Sequence, residues 1–386
     1  MIDRFVFDIP TRILFGPGSL KQLHEESALG KKALVLISNG GAMKREGQLD
    51  ALYAELDAAG VAHVLYDQVR PNPTDKNVDE AVKLIKDEGC DHVIALGGGS
   101  VMDAAKAAAC VATNGGTCWD YAPSATGGKK EFGNAPLPLI CVTSDAGTGS
   151  EADMWSVISN DEKQEKTGYL SMYPQISVVD SDLMMSVPQD YTAWQGMDTF
   201  FHAAESMINV NEHAVGEMFA LKAIELVHKY LARAVKDGSD KEARNGMAIA
   251  NTLAGVYMLC TSEHTMEHAL GSAHPNLVHG AGLTMISHEY FDFFAERDAG
   301  TDGMVKMARV MGKPNAKSGK DFIDALDELI ESVGCKDLKM SDYGITREEL
   351  PGVVKKYREV WGGNNDADPV KLGDDDVLGM FERSYK

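Results

Sequence analysis

The feature that most restricts the fold of this chain is a rhythm that runs through its first half and then stops. Short apolar runs alternate with longer amphipathic ones. Ala33–Ser38, His63–Tyr66, His92–Leu96, Leu137–Thr143 and Ile176–Asp180 read as strands. Between them Gln48–Ala59, Asn77–Glu88 and Val101–Thr113 carry helical spacing. Such a βαβα order predicts a parallel sheet with helices on both faces. After Asp180 the strand-like runs cease. Helical patterns follow at Thr192–Asn209, His213–Lys236, Lys241–Cys260, Val278–Glu296, Gly319–Ser332, Arg347–Trp361 and Asp375–Tyr385. The change of texture places a boundary near Val187-Pro188. We expect an α/β domain over 1–186 and an all-α domain over 187–386.

Charge excludes whole classes of partner. The chain has 58 acidic and 37 basic residues, a formal net charge of −21. Duplex binding needs clustered Lys and Arg to displace counterions, and no such cluster occurs, so nucleic acid is not expected as a partner. An acidic surface gains nothing at an anionic membrane. No window approaches the roughly 20 apolar residues of a membrane span. The segment Met1–Leu20 carries Asp3, Arg4, Asp8 and Arg12, so it reads as neither signal nor anchor. Cys90, Cys110, Cys118, Cys141, Cys260 and Cys335 show no CxxC spacing. Most lie in apolar stretches, which fits reduced thiols in a cytoplasmic protein.

Two loops stand at strand ends. Leu96 runs into Gly97-Gly98-Gly99-Ser100-Val101-Met102-Asp103-Ala104-Ala105-Lys106. Glycines let a ligand approach the backbone, and free N–H groups at a helix start suit a pyrophosphate. Ser100 reads as the N-cap, with Asp103 closing a capping-box-like exchange. A tight βα turn without a ligand has the same spacing, and the loop is neither GxGxxG nor a P-loop. The strand ending at Thr143 runs into Ser144-Asp145-Ala146-Gly147-Thr148-Gly149-Ser150-Glu151. Two loops at C-terminal strand ends are where open α/β sheets bind ligands.

The histidines cluster in the second half. Five of eleven, His264, His268, His274, His279 and His288, fall within 25 residues. Asp198 and His202 stand at i, i+4, as do His264 and His268, which puts each pair on one helix face. A lone histidine is usually a core or surface residue. A carboxylate with several imidazoles converging between helices is how a helical domain holds a divalent cation. An N/O donor set of this kind suits Fe²⁺ or Zn²⁺ alike.

Together these segments resemble the iron-containing (group III) alcohol dehydrogenases, nearly end to end. The resemblance is carried by Pro10–Gly18, by GGGSVMDAAK at Gly97–Lys106 and by AGTGSE at Ala146–Glu151. It continues in GMDTFFHAAES at Gly196–Ser206 and in His264-x3-His268 followed by His279-Gly280. It implies a dinucleotide-binding α/β domain, a helical metal-binding domain and a cleft between them, the architecture shared with dehydroquinate synthase. It implies Asp198, His202, His264 and His279 as metal ligands. His268 becomes a candidate catalytic proton relay. Gly98, Gly99, Ser100 and Asp103 would meet the pyrophosphate, with Ser144, Asp145, Thr148 and Lys166 near the cofactor. Asn39 and Asn72 complete the cofactor-side candidates.

Several positions depart from the family pattern. Thr143-Ser144-Asp145 stands where Pro-Thr-Thr is usual. Ala269 replaces a proline, and one extra residue before His279 makes His274 a competing ligand. His279 is preferred because His279-Gly280 is the family's form. Trp155 and Phe200-Phe201 fall near the implied cleft, although ordinary helix packing also accounts for bulky aromatics.

The resemblance implies hydride transfer between a small alcohol or diol and nicotinamide C4, with a metal, Fe²⁺ or Zn²⁺, polarising the substrate oxygen. The reverse reaction is aldehyde reduction. Alternatives are a glycerol dehydrogenase-like or dehydroquinate synthase-like enzyme of the same fold, or a non-catalytic metal- or nucleotide-binding protein. The turn after Ala33–Ser38 is Asn39-Gly40-Gly41 with Lys44 and Arg45 behind and no carboxylate. That pattern predicts NADP(H) acceptance and a lean from NAD toward NADP. The family also suggests a homodimer.

Overall fold

In a computed structural model of the chain, the alternation of the first half becomes one six-stranded sheet. Residues 4–26, 30–123, 126–361 and 366–386 are described. Asp3 of the opening segment lies outside them. The chain divides into two compact units. One is Asp8–Ser186, and the other is Val187–Lys386 together with the N-terminal residues up to Phe7.

In the first unit the strands are β1 (Arg12–Phe15), β2 (Lys32–Ser38), β3 (Ala62–Val69), β4 (His92–Gly97), β5 (Leu139–Thr143) and β8 (Ile176–Val179). They lie in the order β1-β8-β5-β4-β2-β3, and every pairing is parallel. A separate antiparallel pair, β6 (Trp155–Asn160) with β7 (Glu165–Leu170), stands beside the sheet order. Helices α1 (Ala42–Arg45), α2 (Gln48–Ala58), α3 (Asp75–Glu88) and α4 (Gly99–Asn114) fill the crossovers.

Period-2 alternation sends the strands' side chains to two cores. Leu34, Leu36, Val93, Ala95, Leu139 and Cys141 join the core containing Val78, Ile85 and Met102. Ala33, Val35, Ile37, Ile94, Leu96, Ile140 and Val142 join the core containing Leu49, Leu52 and Leu56. A sheet buried on both faces needs continuous apolar strands, which is why these runs do not alternate with polar residues. From β2 the chain turns to β3 on one side and later to β4 on the other. The C-terminal ends of β2 and β4 therefore flank a topological switch point.

The second unit is helical. It comprises α5 (Gln189–Ile208), α6 (Ala214–Lys236), α7 (Lys241–Val256), α8 (Ser262–Ala273), α9 (His279–Ala295), α10 (Thr301–Val310), α11 (Gly319–Ser332), α12 (Leu350–Trp361) and α13 (Asp374–Ser384). Phe200 and Phe201 are fully buried. Phe200 stacks on Phe322, and Phe201 on Phe291, at 6.3 and 6.5 Å between ring centroids. They are core residues of the helical unit. Trp155 opens β6 and is 39% exposed. All six thiols are free, and only Cys260 is not classed as buried. Among the described residues, no helix is long and apolar enough to cross a membrane.

Candidate active site

Most of the cofactor-binding candidates lie at the C-terminal edge of the sheet. Asn39 follows β2, and its N–H donates to Val69 O at the end of β3, 2.8 Å away. Asn72, after β3, takes a left-handed backbone (φ 51°) before α3 begins. Gly97 ends β4 and Gly98 and Gly99 lead into α4, while Ser144 follows β5. These residues belong to four strands that are neighbours in the sheet.

The glycines are required by the second loop as much as by any ligand. A Cβ on Gly98 would come within 2.0 Å of Asp145 Oδ2, and one on Gly99 within 2.4 Å of Thr148 Cγ2. Ser144 N–H donates to Gly97 O at 3.2 Å. The two loops are thus packed against each other, and side chains of the second fill the space the glycines leave.

Here one expectation is corrected. Gly98, not Ser100, is the N-cap of α4, and no side chain caps it. The helix starts at Gly99, and Val101 N–H donates to Gly98 O at 3.0 Å, so the Gly99 and Ser100 amides are the first-turn N–H groups that lack an intrahelical acceptor. That is the donor array an anion needs, and it exists because no capping side chain uses it.

Asp103 is occupied elsewhere. It accepts from Ser150 Oγ at 2.7 Å and from Val157 N–H at 2.9 Å. Lys106, fully buried, donates to Ser150 Oγ at 2.8 Å, Asp153 Oδ1 at 2.7 Å and Trp155 O at 3.0 Å. All three ammonium protons are used. Burial raises the Asp103 carboxyl to about 6, against the pull of Lys106. This knot ties α4 to the second loop and to β6. Lys166, on β7, is buried and stands opposite Ser159 across the hairpin.

At the other sheet corner Lys44 forms an ion pair with Asp67, near the end of β3. Arg45 donates to Gly40 O at 2.7 Å. Asp67 escaped the sequence reading because it arrives from the neighbouring strand.

In the helical unit, three helices carry the metal candidates. Helix α5 carries Asp198 and His202, α8 carries His264 and His268, and α9 begins at His279. The His279-Gly280 pair has a steric reason. A Cβ on Gly280 would meet Trp194 O of α5 at 1.9 Å, so glycine lets α9 start against the helix bearing Asp198.

Asp198 Oδ1 is the common point. His264 Nε2 and His279 Nε2 each lie 3.6 Å from it, and His202 Nε2 lies 3.8 Å away. Those separations are too long for hydrogen bonds. Ligands about 2.1 Å from a tetrahedral ion stand about 3.4 Å apart, so the spacing fits donors around a cation. Asp198 Oδ1 and His264 Nε2 are buried with no hydrogen-bond partner. Such buried polar atoms need an explanation, and a metal supplies one.

The opposite ring edges are held. His264 Nδ1 pairs with Glu205 and His279 Nδ1 with Glu267, both carboxylates fully buried. Glu205 also accepts from Thr261 N–H at 2.6 Å and Thr261 Oγ1 at 2.8 Å. Burial works to raise the Asp198 carboxyl, but the imidazoles of His202, His279 and His264 outweigh it and hold it well below the carboxylate range.

His268 lies on the His279 side, its ring stacked 5.0 Å from that of His279 and edge-on to that of His264 at 6.3 Å. His274 is engaged by Glu349, 3.1 Å from its Nε2. The donor groups brought together are Asp198–His264–His279, His202–Cys260–His264 and Glu267–His268–His279, and His274 is in none of them. Glu205, Glu267 and Cys260 were not read from sequence. Glu205, seven residues after Asp198, and Glu267, three after His264, each left the signal of a shared helix face.

Comparison with known proteins gives one answer along the chain. The iron-containing alcohol dehydrogenase family matches residues 10–181, and the C-terminal domain of the Fe-containing alcohol dehydrogenase family matches 192–385. Alcohol dehydrogenase 4 of Schizosaccharomyces pombe is 30% identical, covering 97% of this chain and 88% of its own length. Choline dehydrogenase of Bacillus subtilis is 39% identical, covering 71% of this chain and 69% of its own. The crystal structure of an alcohol dehydrogenase from a halo-thermophilic archaeon of a Red Sea brine pool superposes with a TM-score of 0.94. It is 33% identical and covers 100% of both chains.

Proposed function

Because the chain belongs to the iron-containing alcohol dehydrogenase family, we propose that it is a metal-dependent, nicotinamide-linked dehydrogenase that interconverts a small alcohol or diol with the aldehyde. The observation that carries this reading is the convergence of three imidazoles on Asp198 Oδ1. When bound, the cation acts as a Lewis acid on the substrate oxygen and the nicotinamide exchanges hydride with the substrate carbon.

The protein's own residues do the rest. Asp198, His202, His264 and His279 hold the cation. Asp198 stays ionised at neutral pH, so the site always offers one anionic donor. Glu205 and Glu267 accept hydrogen bonds from the Nδ1–H groups of His264 and His279 and leave the Nε2 lone pairs toward the centre. His268 takes the substrate's hydroxyl proton during oxidation and returns it during reduction. The first-turn amides of α4 and the glycine backbone bind the pyrophosphate, with Ser144, Asp145, Thr148, Asn39, Asn72 and Lys166 around the dinucleotide. Asp103 supports that loop from behind through Ser150.

Protein loaded with Fe²⁺ or Zn²⁺ is expected to form reduced nicotinamide stoichiometrically from primary alcohols or diols. A chelator should abolish turnover, and added metal should restore it. Full activity in a metal-free preparation rejects the reading.

The lean toward NADP(H) is revised by Asp67. Lys44 is the cation expected to welcome a 2′-phosphate, and its charge is already met by this carboxylate. We read the site as taking NAD(H) in preference. Asp67→Ala releases Lys44, and kcat/KM for NADPH relative to NADH should rise about tenfold, roughly 1.4 kcal/mol. An unchanged ratio removes Asp67 from the specificity determinants.

A further inference from the structure

We infer that Glu267 is a positioning residue for the metal centre: its carboxylate, seated between two glycines, fixes the ring of His279 so that Nε2 faces Asp198. The inference rests on the metal reading above. Among the ligand side chains His279 is the most exposed, at 21% against 4% for His264 and 6% for His202. It is also the first residue of α9, so no preceding helical turn packs against it. Its ring therefore needs an external hold.

That hold comes from α8. The Nδ1 edge of His279 pairs with Glu267 Oε2. A neutral imidazole has one N–H and one lone pair. Giving the N–H to a carboxylate fixes the tautomer and leaves the Nε2 lone pair on the opposite edge, 3.6 Å from Asp198 Oδ1. One turn of α8 thus carries the ligand His264 and, three residues on, the carboxylate that orients another ligand.

The space for this carboxylate is specific. A Cβ on Gly282 would approach Glu267 Cγ to 2.7 Å and Oε1 to 2.9 Å. A Cβ on Gly271 would approach Oε1 to 3.1 Å. Gly271 is one turn beyond Glu267 on α8, and Gly282 is one turn beyond His279 on α9. Glycine is a poor helix former. Two of them inside helices, both against the same buried side chain, keep open the volume in which Glu267 stands.

Two variants test the inference. Glu267→Gln keeps the shape and removes the charge. Gly282→Ala keeps every ionisable group and presses on Glu267 from the α9 side. Zn²⁺ affinity is read by competition with a chromophoric chelator, ligand geometry by the visible spectrum of the Co²⁺-substituted protein, and folding of the metal-free protein by its thermal midpoint. Glu267→Gln should weaken Zn²⁺ binding about 10–100-fold. Gly282→Ala should weaken it in the same direction, with an altered Co²⁺ spectrum in each. Should Glu267→Gln not fold, Gly282→Ala decides alone. Folded variants that bind Zn²⁺ within twofold of the parent, whatever their thermal midpoint, overturn the inference. Failure of the parent itself to bind a divalent cation overturns the metal reading and this inference with it.

Discussion

Replacing His264 by alanine is expected to empty the metal centre and to lower kcat/KM by at least about 10³-fold, some 4 kcal/mol of transition-state stabilisation. The effect follows from how the ring is placed. His264 is 4% exposed, its Nε2 lies 3.6 Å from Asp198 Oδ1, and its ring stacks 4.5 Å from that of His202. It is common to the two donor groups that contain the other ligand candidates, Asp198–His264–His279 and His202–Cys260–His264. Removing it breaks both at once. It also takes from Glu205 the imidazole its carboxylate pairs with, leaving that buried group to the Thr261 donors alone. His268→Ala should behave differently. His268 stands beside His279 and not against Asp198, so the variant should keep its metal and lose about 10²-fold in rate, the scale of a lost proton transfer. Metal content by mass spectrometry and steady-state kinetics on both variants separate the cases. A folded His264→Ala protein with full metal and turnover would falsify the ligand set.

The parts of this molecule that could be read in the sequence are those whose physics is local. The strands Ala33–Ser38 and His92–Leu96 declared themselves because a parallel sheet buried on both faces tolerates no polar alternation. The helical half was legible from its spacing, and the Asp198/His202 and His264/His268 pairs from one turn of helix. The parts that escaped depend on packing between distant segments. Strand β1 has only four residues, mixed in burial, and its apolar run of Ile13-Leu14-Phe15 is too short to stand out as a strand. The β6–β7 hairpin carries Glu165, Lys166 and Thr167, and it buries them because they have partners, not because they are apolar. The N-cap of α4 moved from Ser100 to Gly98 because a good capping residue sat where the backbone had no need of one. His274 and His279 could not be ranked by spacing alone. Gly280 decides between them, since only a residue without Cβ clears Trp194 O, and Glu349 engages the other imidazole. Glu205, Glu267 and Lys106 were passed over for one common reason. A charged side chain is assumed to be solvated until a structure shows what it touches.

Lys106→Met is the second change expected to have a large effect, and it acts on folding. The residue is fully buried, and its three protons go to Ser150, Asp153 and Trp155 O. Methionine fills much of the volume but leaves the Asp103 and Asp153 carboxyls facing a neutral side chain. Removing one member of a buried ionic cluster costs about 3–5 kcal/mol, because the remaining charge is stranded. A loss of that size should appear as a much lower urea midpoint for the α/β unit. The knot also fixes Ser150 at the end of the second loop, so KM for the nicotinamide cofactor should rise while metal content stays normal.

The deficit should depend on pH in a definite direction. Burial already raises the Asp103 carboxyl to about 6 from an ordinary 3.8, although Lys106 pulls it down. Asp153 is raised by burial as well. Without the ammonium both carboxyls climb further. A carboxyl raised in the native state binds more protons there than in the unfolded chain, so its contribution to stability falls as pH rises through the window between the two values. In the parent that window runs from about 4 to about 6, and in the variant it extends upward. Between pH 5 and pH 8 the variant should therefore lose more stability than the parent does. The gap between the two should be widest at pH 8 and should narrow as the stranded carboxyls take up protons. Urea titrations at pH 5, 6, 7 and 8 measure this gap. A constant gap would mean that lost packing, and not stranded charge, accounts for the effect, and the role assigned to Lys106 as the counter-ion of this buried cluster would be withdrawn.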